Sequence, residues 1–285
     1  MFRRSLHTIR RAVTVVGRGY WSGRECRVEL RPAAAGAGVT FVRQVAGRDV
    51  RIPALVAARV DAASRTNLRS GGAGVEMVEH LLAALAGLGV DCCTVHLSAD
   101  ELPGLDGSAL AFVEAIDSVG LETLAAAAEP VVVAEPMRVG DTESWIELGP
   151  PRCAGLSVEY ELDYGPGPIG RQRLALAVTP DSFREQLAAA RTFLSRQEAA
   201  GLQAAGLGLG VTHRDLLVFD DHGPIDNPLR WPDECVRHKV LDLVGDLSLA
   251  GRPVHAHVRA RRSGHRLNGA AAARLAAAAP LRASA

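Results

Sequence analysis

The chain has 285 residues, no net formal charge at pH 7 and a hydrophobic content of 48%. This length is enough for one large domain or two modest ones, each with its own core. The balanced charge argues against a general nucleic-acid binder or membrane-surface binder, and no apolar run approaches the roughly 18 residues of a membrane span. The five cysteines are odd in number and lack CxxC spacing, which favours a reduced, cytoplasmic setting over a disulfide framework.

The amino terminus, MFRRSLHTIRRAV, is basic and contains no acidic residue, which is compatible with a transit peptide. We favour a short tail before the first strand, because TVVGRGYWSG already has the pattern of a strand and a turn. Residues 10–60 contain β-branched segments broken by Gly and Pro, which predict several short strands.

Two helices are predicted in the rest of the first half. VEMVEHLLAALAGLG is apolar on nearly all sides and is stopped by glycines near residues 87–89, so it belongs in a core. ALAFVEAIDSVGL has apolar residues at helical spacing. Between them, DCCTVHLS predicts a strand with Cys92 and Cys93 as core residues, and ADELPGLDGS predicts a loop. AAAAEPVVV, near residues 125–131, indicates a linker or the start of a domain.

The second half roughly repeats this order. SWIELGP, LSVEYELDY, QRLALAVT and LLVFDD predict strands, and RPVHAHVRARR predicts a strand with His255 and His257 on its surface. DSFREQLAAARTF predicts a helix capped by Asp181 or Ser182. PDECVRHKVLDLVGDLSLAG predicts a long helix, and LNGAAAARLAAAA predicts a closing helix.

These elements predict an α+β fold, because each half combines strands with helices that must cover them. We expect two similar domains, residues 1–126 and 127–285, each layering helices on a sheet. The sequence similarity between the halves is too weak to prove a repeat. The tail after Pro280 is expected to fray.

The segment RHKVLDLVGDL contains the first candidate site residues. His238 and Asp242 are four apart on the predicted helix, so they share a face and could ligate one zinc ion. Asp246 extends that face by one more turn. A solvated His–Asp pair is the commoner explanation of this spacing alone, but the surrounding Val and Leu residues place the face near a buried surface. Lys239, the single lysine among 32 basic Lys and Arg residues, lies beside it and indicates a need for a compact ammonium group.

Glu79 and His80 are a polar pair near the start of the first apolar helix. Burying such a pair is costly unless it is paired or bound to metal. Adjacent helix residues diverge by roughly 100°, so one could bind a metal ion while the other acts as a general base beside it. The alternative is a helix amino terminus that exposes both side chains, where the helix dipole favours Glu79.

Two further segments carry polar groups that could reach a site on another element. His265, in SGHRLN, follows a Ser-Gly turn. In AARTF, Thr192 carries a hydroxyl that can donate to a developing oxyanion, and it is followed by Phe193. Each feature is weak by itself.

In combination these motifs resemble a known family. VEHLLAALAGLGVD, ELPGLDGSALAFVE, AARTF, RHKVLDLVGDLSLAG and SGHRLN occur in the order and spacing of the UDP-3-O-acyl-N-acetylglucosamine deacetylases. The resemblance runs from about residue 10 to about residue 275. It implies a zinc site formed by His80, His238 and Asp242, with Glu79 as the general base. Iron is possible in the same set of ligands.

The resemblance also implies roles for the remaining candidates. His265 would be a cation that protonates the leaving amine, oriented by Asp246. Thr192 would donate to the oxyanion. Lys239 would contact the substrate near its diphosphate, and Phe193 would pack on the hexosamine or at the start of a passage for the acyl chain.

The implied fold is two α+β domains of the β-α-α-β sandwich type that meet at the active site. Each carries an inserted element, and the segment LSRQEAAGLQAAGLGLG maps to the insert that shapes the acyl passage. Asp106 would be a supporting residue. The first turn, GRGYWSG, departs from the family's usual GVGLHSG, because Trp21 replaces a histidine and Arg18 is added, so details of substrate contact there stay open.

The implied activity is hydrolysis of the N-acetyl group of UDP-3-O-(3-hydroxyacyl)-N-acetylglucosamine, which releases acetate in the committed step of lipid A biosynthesis. We expect a cytoplasmic monomer that binds this acylated UDP-sugar, binds no nucleic acid and does not insert stably into a membrane. The alternatives are a deacylase of another acylated sugar nucleotide and a non-catalytic relative that binds sugar nucleotides.

Overall fold

The computed structural model describes residues 4–278. The first half contains α1 (Glu79–Gly87), α2 (Leu110–Val119) and a short 3-10 helix (Val56–Ala58). Its strands are β1 (Ser5–Ile9), β2 (Val13–Arg18), β3 (Glu25–Pro32), β4 (Val39–Val45), β5 (Arg48–Pro53), β6 (Arg59–Val60), β7 (Asn67–Ser70), β8 (Ala73–Val75), β9 (Cys93–Leu97) and β10 (Leu121–Ala127).

The second half contains helices α3 (Pro180–Gln186), α4 (Arg196–Ala204), α5 (Glu234–Leu247) and α6 (His265–Ala278), with a 3-10 turn (Ser248–Ala250) after α5. Its strands are β11 (Val131–Val132), β12 (Met137–Gly140), β13 (Trp145–Gly149), β14 (Leu156–Asp163), β15 (Arg171–Val178), β16 (Phe193–Ser195), β17 (Leu217–Asp220), β18 (Gly223–Pro224) and β19 (Val254–Arg261).

The main sheets of the two halves have the same topology. The first has the order β2-β3-β9-β4-β5, and the second has the order β12-β13-β19-β14-β15, with β11 beside β19. In each sheet the last strand in sequence lies at the centre, parallel to one neighbour and antiparallel to the other. This correspondence confirms the α+β class. It also supports the expectation of two similar domains, whose boundary at residues 126–127 stays a prediction.

Each half also carries a small three-stranded sheet between its fourth main strand and the helix that precedes its central strand. These are β6-β7-β8 in the first half and β16-β17-β18 in the second. The second insert also contains α4, which starts with a capping box: the Ser195 hydroxyl accepts from the Glu198 N–H, and the Glu198 carboxylate accepts from the Ser195 N–H. The predicted insert segment, residues 194–210, therefore lies mostly in β16, α4 and the loop that follows.

Helices α1 and α5 pack against each other at the junction of the halves. Their backbones come close at Gly245, where an added Cβ would lie 2.2 Å from the Glu79 carbonyl oxygen. Only glycine leaves room for this contact, because any side chain would force the helices apart. The packing sets the first turn of α1 beside the middle of α5.

Two predictions for chain ends and helix limits need correction. Residues 5–9 are not a tail: they form β1, which pairs with β10 and buries Ile9, because the apolar positions of that short segment find a partner far along the chain. The predicted helix at 75–89 begins only at Glu79, since Val75 belongs to β8. The tail after Pro280 lies outside the described residues.

The predicted helix at residues 181–193 is too long. Helix α3 ends at Gln186, and Phe193 already belongs to β16. Its cap is Thr179, not Asp181 or Ser182, because the Thr179 hydroxyl accepts from the Ser182 N–H. Among residues 4–278, no helix is long and apolar enough to cross a membrane.

The close approach at Gly245 predicts the effect of a single methyl group. Gly245→Ala should lower the free energy of unfolding by about 1–3 kcal/mol, because it overpacks the junction of α1 and α5. Urea denaturation followed by circular dichroism measures this. Gly201→Ala is the matched control: its Cβ in α4 would meet no described atom within 4 Å, so it should stabilise by up to ~1 kcal/mol. Equal effects of the two substitutions would contradict the steric argument.

Candidate metal centre and active site

A cavity of about 1330 Å³ lies where the halves meet, between α1, α5, the start of α6 and the second insert. It brings together eight of the candidates predicted from sequence: Glu79, His80, Thr192, Phe193, His238, Lys239, Asp242 and His265. The ninth, Asp246, is fully buried behind His265. These residues are up to 186 positions apart in sequence, from Glu79 to His265, so the contact of α1 with α5 is what assembles them.

Three buried side chains form the centre of the site. His80 on α1 and His238 and Asp242 on α5 offer ligand atoms that all lie within 4.8 Å of one another. Asp242 Oδ1 is 3.3 Å from His238 Nε2 and 3.7 Å from His80 Nε2. This oxygen has no hydrogen-bond partner among residues 4–278. A buried carboxylate oxygen without a donor is costly, and a cation held by all three groups would satisfy it.

Both imidazoles are in the protonation state that a metal ligand requires. Burial lowers the pKa of His238 to about 3 and also lowers the pKa of His80. His238 Nδ1 is 3.0 Å from the carbonyl oxygen of Ala190. Because a carbonyl oxygen only accepts, Nδ1 carries the proton and the lone pair of Nε2 is available for a metal ion. The donor set therefore fits a divalent cation.

Glu79 lies at the first position of α1 and is buried beside the centre. Burial, supported by the nearby carboxylates of Asp246 and Asp242, raises the pKa of Glu79 to about 7. Its Oε2 accepts a hydrogen bond of 2.9 Å from the N–H of Thr66. A carboxyl group with a pKa near neutrality is suited to take up and release a proton.

His265, the first residue of α6, is held by Asp246. His265 Nδ1 lies 2.9 Å from Asp246 Oδ2. Burial opposes a charge on His265, but the carboxylates of Asp246 and Asp242 outweigh it and raise the pKa of His265 to about 9. Asp246 also accepts from Asn268 Nδ2 at 2.9 Å and from the Thr66 hydroxyl at 2.6 Å. The imidazolium is therefore fixed in orientation by a buried carboxylate whose two oxygens both accept hydrogen bonds.

Lys239 and Phe193 lie side by side in the cavity wall. Lys239 Nζ donates to Asp242 Oδ2 at 2.7 Å and lies 5.6 Å from the centre of the Phe193 ring. The Phe193 ring also contacts Tyr164, with ring centres 5.5 Å apart. The ammonium group thus completes the charge balance of Asp242 while it faces the cavity.

Thr192 is positioned by its backbone. Its N–H donates to the carbonyl of Gly107 at 2.8 Å, and its carbonyl accepts from the N–H of Leu217 at 3.0 Å. Asp106, expected to support the site, accepts from the Ser108 hydroxyl and from Arg230. It therefore fixes the loop that holds Thr192.

The turn that departs from the family pattern also borders the cavity. The guanidinium of Arg65 stacks on the ring of Trp21 at 4.5 Å from its centre. Arg18 donates to the carbonyl of Gly23 within the same turn. The hydroxyl of Tyr20 donates to the carbonyl of Asp215 at 2.6 Å, which links this turn to the second insert.

Sequence reasoning missed three supporting groups. Thr66 bridges Glu79 and Asp246, Asn268 holds Asp246, and the Ala190 carbonyl holds His238. Their positions in the sequence carry no signal, because each reaches the site only through tertiary contacts.

Among the predictions outside the site, Cys92 and Cys93 are buried, as expected of core residues. His257 was predicted on the strand surface. That is wrong, because the side chain is buried beside the Ser157 hydroxyl and Glu159. His255, on the same strand, is only half-buried.

Two buried imidazoles and a carboxylate, with a proton acceptor and a paired histidine beside them, define a metal-dependent hydrolase type of site. Over residues 6–277 the chain matches the family model for UDP-3-O-acyl N-acetylglycosamine deacetylase. The chain therefore belongs to this family of deacetylases.

Individual relatives agree with the family match. A UDP-3-O-acyl-N-acetylglucosamine deacetylase of Anaeromyxobacter dehalogenans is 40% identical over 263 residues, which cover 92% of this chain and 84% of the relative. One of Brucella ovis is 40% identical over 267 residues, which cover 92% of this chain and 91% of the relative. One of Anaeromyxobacter sp. (strain Fw109-5) is 39% identical over 263 residues, which cover 92% of this chain and 85% of the relative.

The contacts of Thr66 predict that its substitution will lower activity. Thr66→Val keeps the shape and the N–H that binds Glu79, but leaves Asp246 Oδ1 without its hydroxyl donor. We expect kcat of the deacetylase to fall about tenfold with little change in KM, since a lost donor to a buried charge costs ~1–3 kcal/mol. Steady-state kinetics measures this. Thr66→Ser keeps the hydroxyl and should retain most of the activity, and a similar loss in both variants would contradict the role.

Proposed function

We propose that this chain is a zinc-dependent amidohydrolase that removes the N-acetyl group of UDP-3-O-(3-hydroxyacyl)-N-acetylglucosamine and releases acetate. This would be the committed step of lipid A biosynthesis. Family membership supports the reaction and the class of substrate. The observation that supports the metal site is Asp242 Oδ1, which is buried near two imidazole nitrogens and has no hydrogen-bond partner in the described part of the chain.

His80, His238 and Asp242 would hold the zinc ion. When bound there, zinc supplies a Lewis acid that polarises the acetamide carbonyl and favours deprotonation of water. Three protein ligands leave a position open for substrate. Fe²⁺ suits the same donor set, so the identity of the metal needs direct measurement.

Glu79 would be the general base. Its carboxylate is oriented by the Thr66 N–H and shares the cavity with the three proposed ligands. In its ionised form it can take the proton of the attacking water while the other oxygen keeps its hydrogen bond. The buried environment that raises its pKa also makes this carboxylate a stronger base than an exposed one.

His265 would complete the proton transfers. Held in its charged form by Asp246, it can stabilise negative charge on the substrate and then protonate the departing amine. Thr192 would donate its hydroxyl to the oxygen that develops charge, a contribution on the order of 3 kcal/mol. Its backbone is fixed on both sides by hydrogen bonds to Gly107 and Leu217, which fixes the position of its Cα in the cavity wall.

The remaining cavity matches the two ends of the proposed substrate. Lys239 supplies a cation for the diphosphate, and Phe193 supplies an aromatic surface for the hexosamine or the first acyl carbons. Apolar side chains of the second insert provide a surface for the acyl chain; they are Leu194, Ala199, Leu202, Leu207, Val211, Leu216 and Val218.

Removal of the metal tests the centre directly. Dialysis against a chelator should abolish release of acetate, and added zinc should restore it, because none of the remaining groups activates the amide to the same degree. Metal analysis and a deacetylation assay with zinc or anaerobic Fe²⁺ identify the native ion. His238→Ala should not recover with either metal. Full activity of the metal-free chain would contradict the proposed metal dependence.

Replacement of the proposed base tests the chemistry. Glu79→Gln should lower kcat by about 10²–10⁴-fold, the usual contribution of a general base, while zinc content stays at the wild-type level. Zinc analysis and single-turnover kinetics measure the two quantities on one preparation. Loss of zinc together with activity would show that Glu79 acts on the metal centre and not as a base.

The class of substrate needs its own assay. A panel of UDP-N-acetylglucosamine compounds with and without the 3-O-acyl chain, and with other acylated UDP-sugars, compares kcat/KM values. We expect a strong preference for the acylated N-acetylglucosamine substrate, since the apolar insert surface has no other role in the proposed reaction. Equal turnover of the unacylated compound would contradict that assignment.

A further inference from the structure

One peptide group, between Ala190 and Arg191, is held at both ends by side chains of α5. Its carbonyl oxygen lies 3.0 Å from His238 Nδ1. Its N–H donates to Glu234 Oε1 at 3.1 Å. Glu234 and His238 are four residues apart, so they project from the same face of the helix one turn apart. The peptide group lies across that turn and connects the carboxylate to the imidazole.

Glu234 is fully buried, and its carboxylate is saturated with donors. Besides the N–H of Arg191, it accepts from Arg191 Nε at 2.7 Å, from Arg191 Nη2 at 3.0 Å and from the N–H of Arg230 at 2.6 Å. Four hydrogen bonds use the acceptor capacity of a carboxylate. Its negative charge is therefore fixed in place at one end of the peptide group.

The fixed charge acts on the imidazole at the other end. A negative charge at the peptide N–H draws electron density toward the carbonyl oxygen, because hydrogen bonds in a chain polarise one another. The carbonyl of Ala190 then becomes a better acceptor for His238 Nδ1–H. That hydrogen bond fixes the tautomer and the ring orientation, and it leaves Nε2 directed at Asp242 Oδ1.

We propose that Glu234 is a positioning residue for His238, and that it acts through the peptide group between Ala190 and Arg191. The inference rests on the proposed metal centre, in which His238 is a ligand. Partners of ligand histidines are commonly carboxylates or carbonyls in direct contact. Here the carboxylate of Glu234 binds the N–H of the peptide group and the carbonyl of the same group binds His238. Glu234 therefore affects how strongly His238 donates its Nε2 lone pair, although it does not contact the imidazole.

One nitrogen of the Arg191 guanidinium, Nη1, also supports the wall of the cavity. Its Nη1 donates to Asn227 Oδ1 at 2.5 Å, and Asn227 Nδ2 donates to the carbonyl of His213 at 2.7 Å. His213 belongs to the cavity wall in the second insert. The Nη1 of Arg191 thus supports the wall, while its Nε, its Nη2 and its backbone N–H bind Glu234. This division provides a control that loosens one path and leaves the other.

The test compares zinc affinity in Glu234→Gln and Asn227→Ser, measured by competition with a chromogenic chelator. Glu234→Gln removes the charge but keeps an oxygen for the N–H of Arg191, and it should raise the Kd for zinc about tenfold. Asn227→Ser removes the support of the guanidinium but keeps the path from Glu234 to His238, so it should leave the Kd unchanged. Thermal unfolding of the metal-free forms records any loss of stability separately.

Three outcomes would overturn the inference. One is a wild-type Kd in folded Glu234→Gln, and a second is an equal rise in Asn227→Ser, which would assign the effect to a loosened wall. The third, a wild-type chain that binds no zinc, would refute the proposed metal centre as well. If Glu234→Gln fails to fold because Arg191 is left without its counter-charge, the double variant Arg191→Gln/Glu234→Gln removes both charges and should show the same tenfold rise.

Discussion

The contact between α1 and α5 brings the residues of the two halves together into one site. Each half covers its sheet with helices, but neither half alone contains all three residues proposed to bind the metal. Because Gly245 lets the two helix backbones approach closely, the first turn of α1 lies against the middle of α5. His80 from the first half then faces His238 and Asp242 from the second. The same contact places Glu79 within reach of the groups that surround Asp246.

Buried charge explains why the surroundings of the site are so rich in hydrogen bonds. Glu79, Asp242 and Asp246 are almost fully buried within one region, and isolated burial of even one carboxylate is costly. The protein offsets this with His265, Lys239 and neutral donors such as the Thr66 hydroxyl and Asn268. Among the oxygens of these three carboxylates, Asp242 Oδ1 is buried without a donor from any residue between 4 and 278. This unpaired carboxylate oxygen lies near the Nε2 atoms of His80 and His238.

The sequence predicted the groups that share one helix more securely than those that meet across the fold. The helical spacing of His238, Asp242 and Asp246 is enough to predict that they share one face of a helix. His80 and His265 were assigned to the same site only because the order of several motifs resembles that of the deacetylase family. Thr66 and the carbonyl of Ala190 were not predictable, because a threonine in a turn and a backbone oxygen are common everywhere and gain their roles only through contacts made in the folded chain.

Secondary structure was likewise predicted better from local patterns than where it depends on contacts between distant segments. The β-branched strands and the presence of both apolar helices α1 and α5 were predicted correctly, although α1 begins four residues later than expected. Strand β1 was mistaken for a tail because its pairing partner, β10, is more than a hundred residues away. The limits of α3 were wrong for a similar reason. The apolar residues at 187–190 have helical composition, but the chain leaves the helix there so that the 190–191 peptide can reach α5.

The matching strand order of the two sheets limits how the molecule can be divided. Helices α1 and α5 precede the central strands of the two sheets, so the residues proposed to bind the metal lie at corresponding places in the two halves. Helix α1 carries Glu79 and His80, whereas α5 carries His238, Asp242 and Asp246. Each half by itself would therefore lack part of the proposed centre. A chain cut between the halves would need both pieces in one complex to rebuild it.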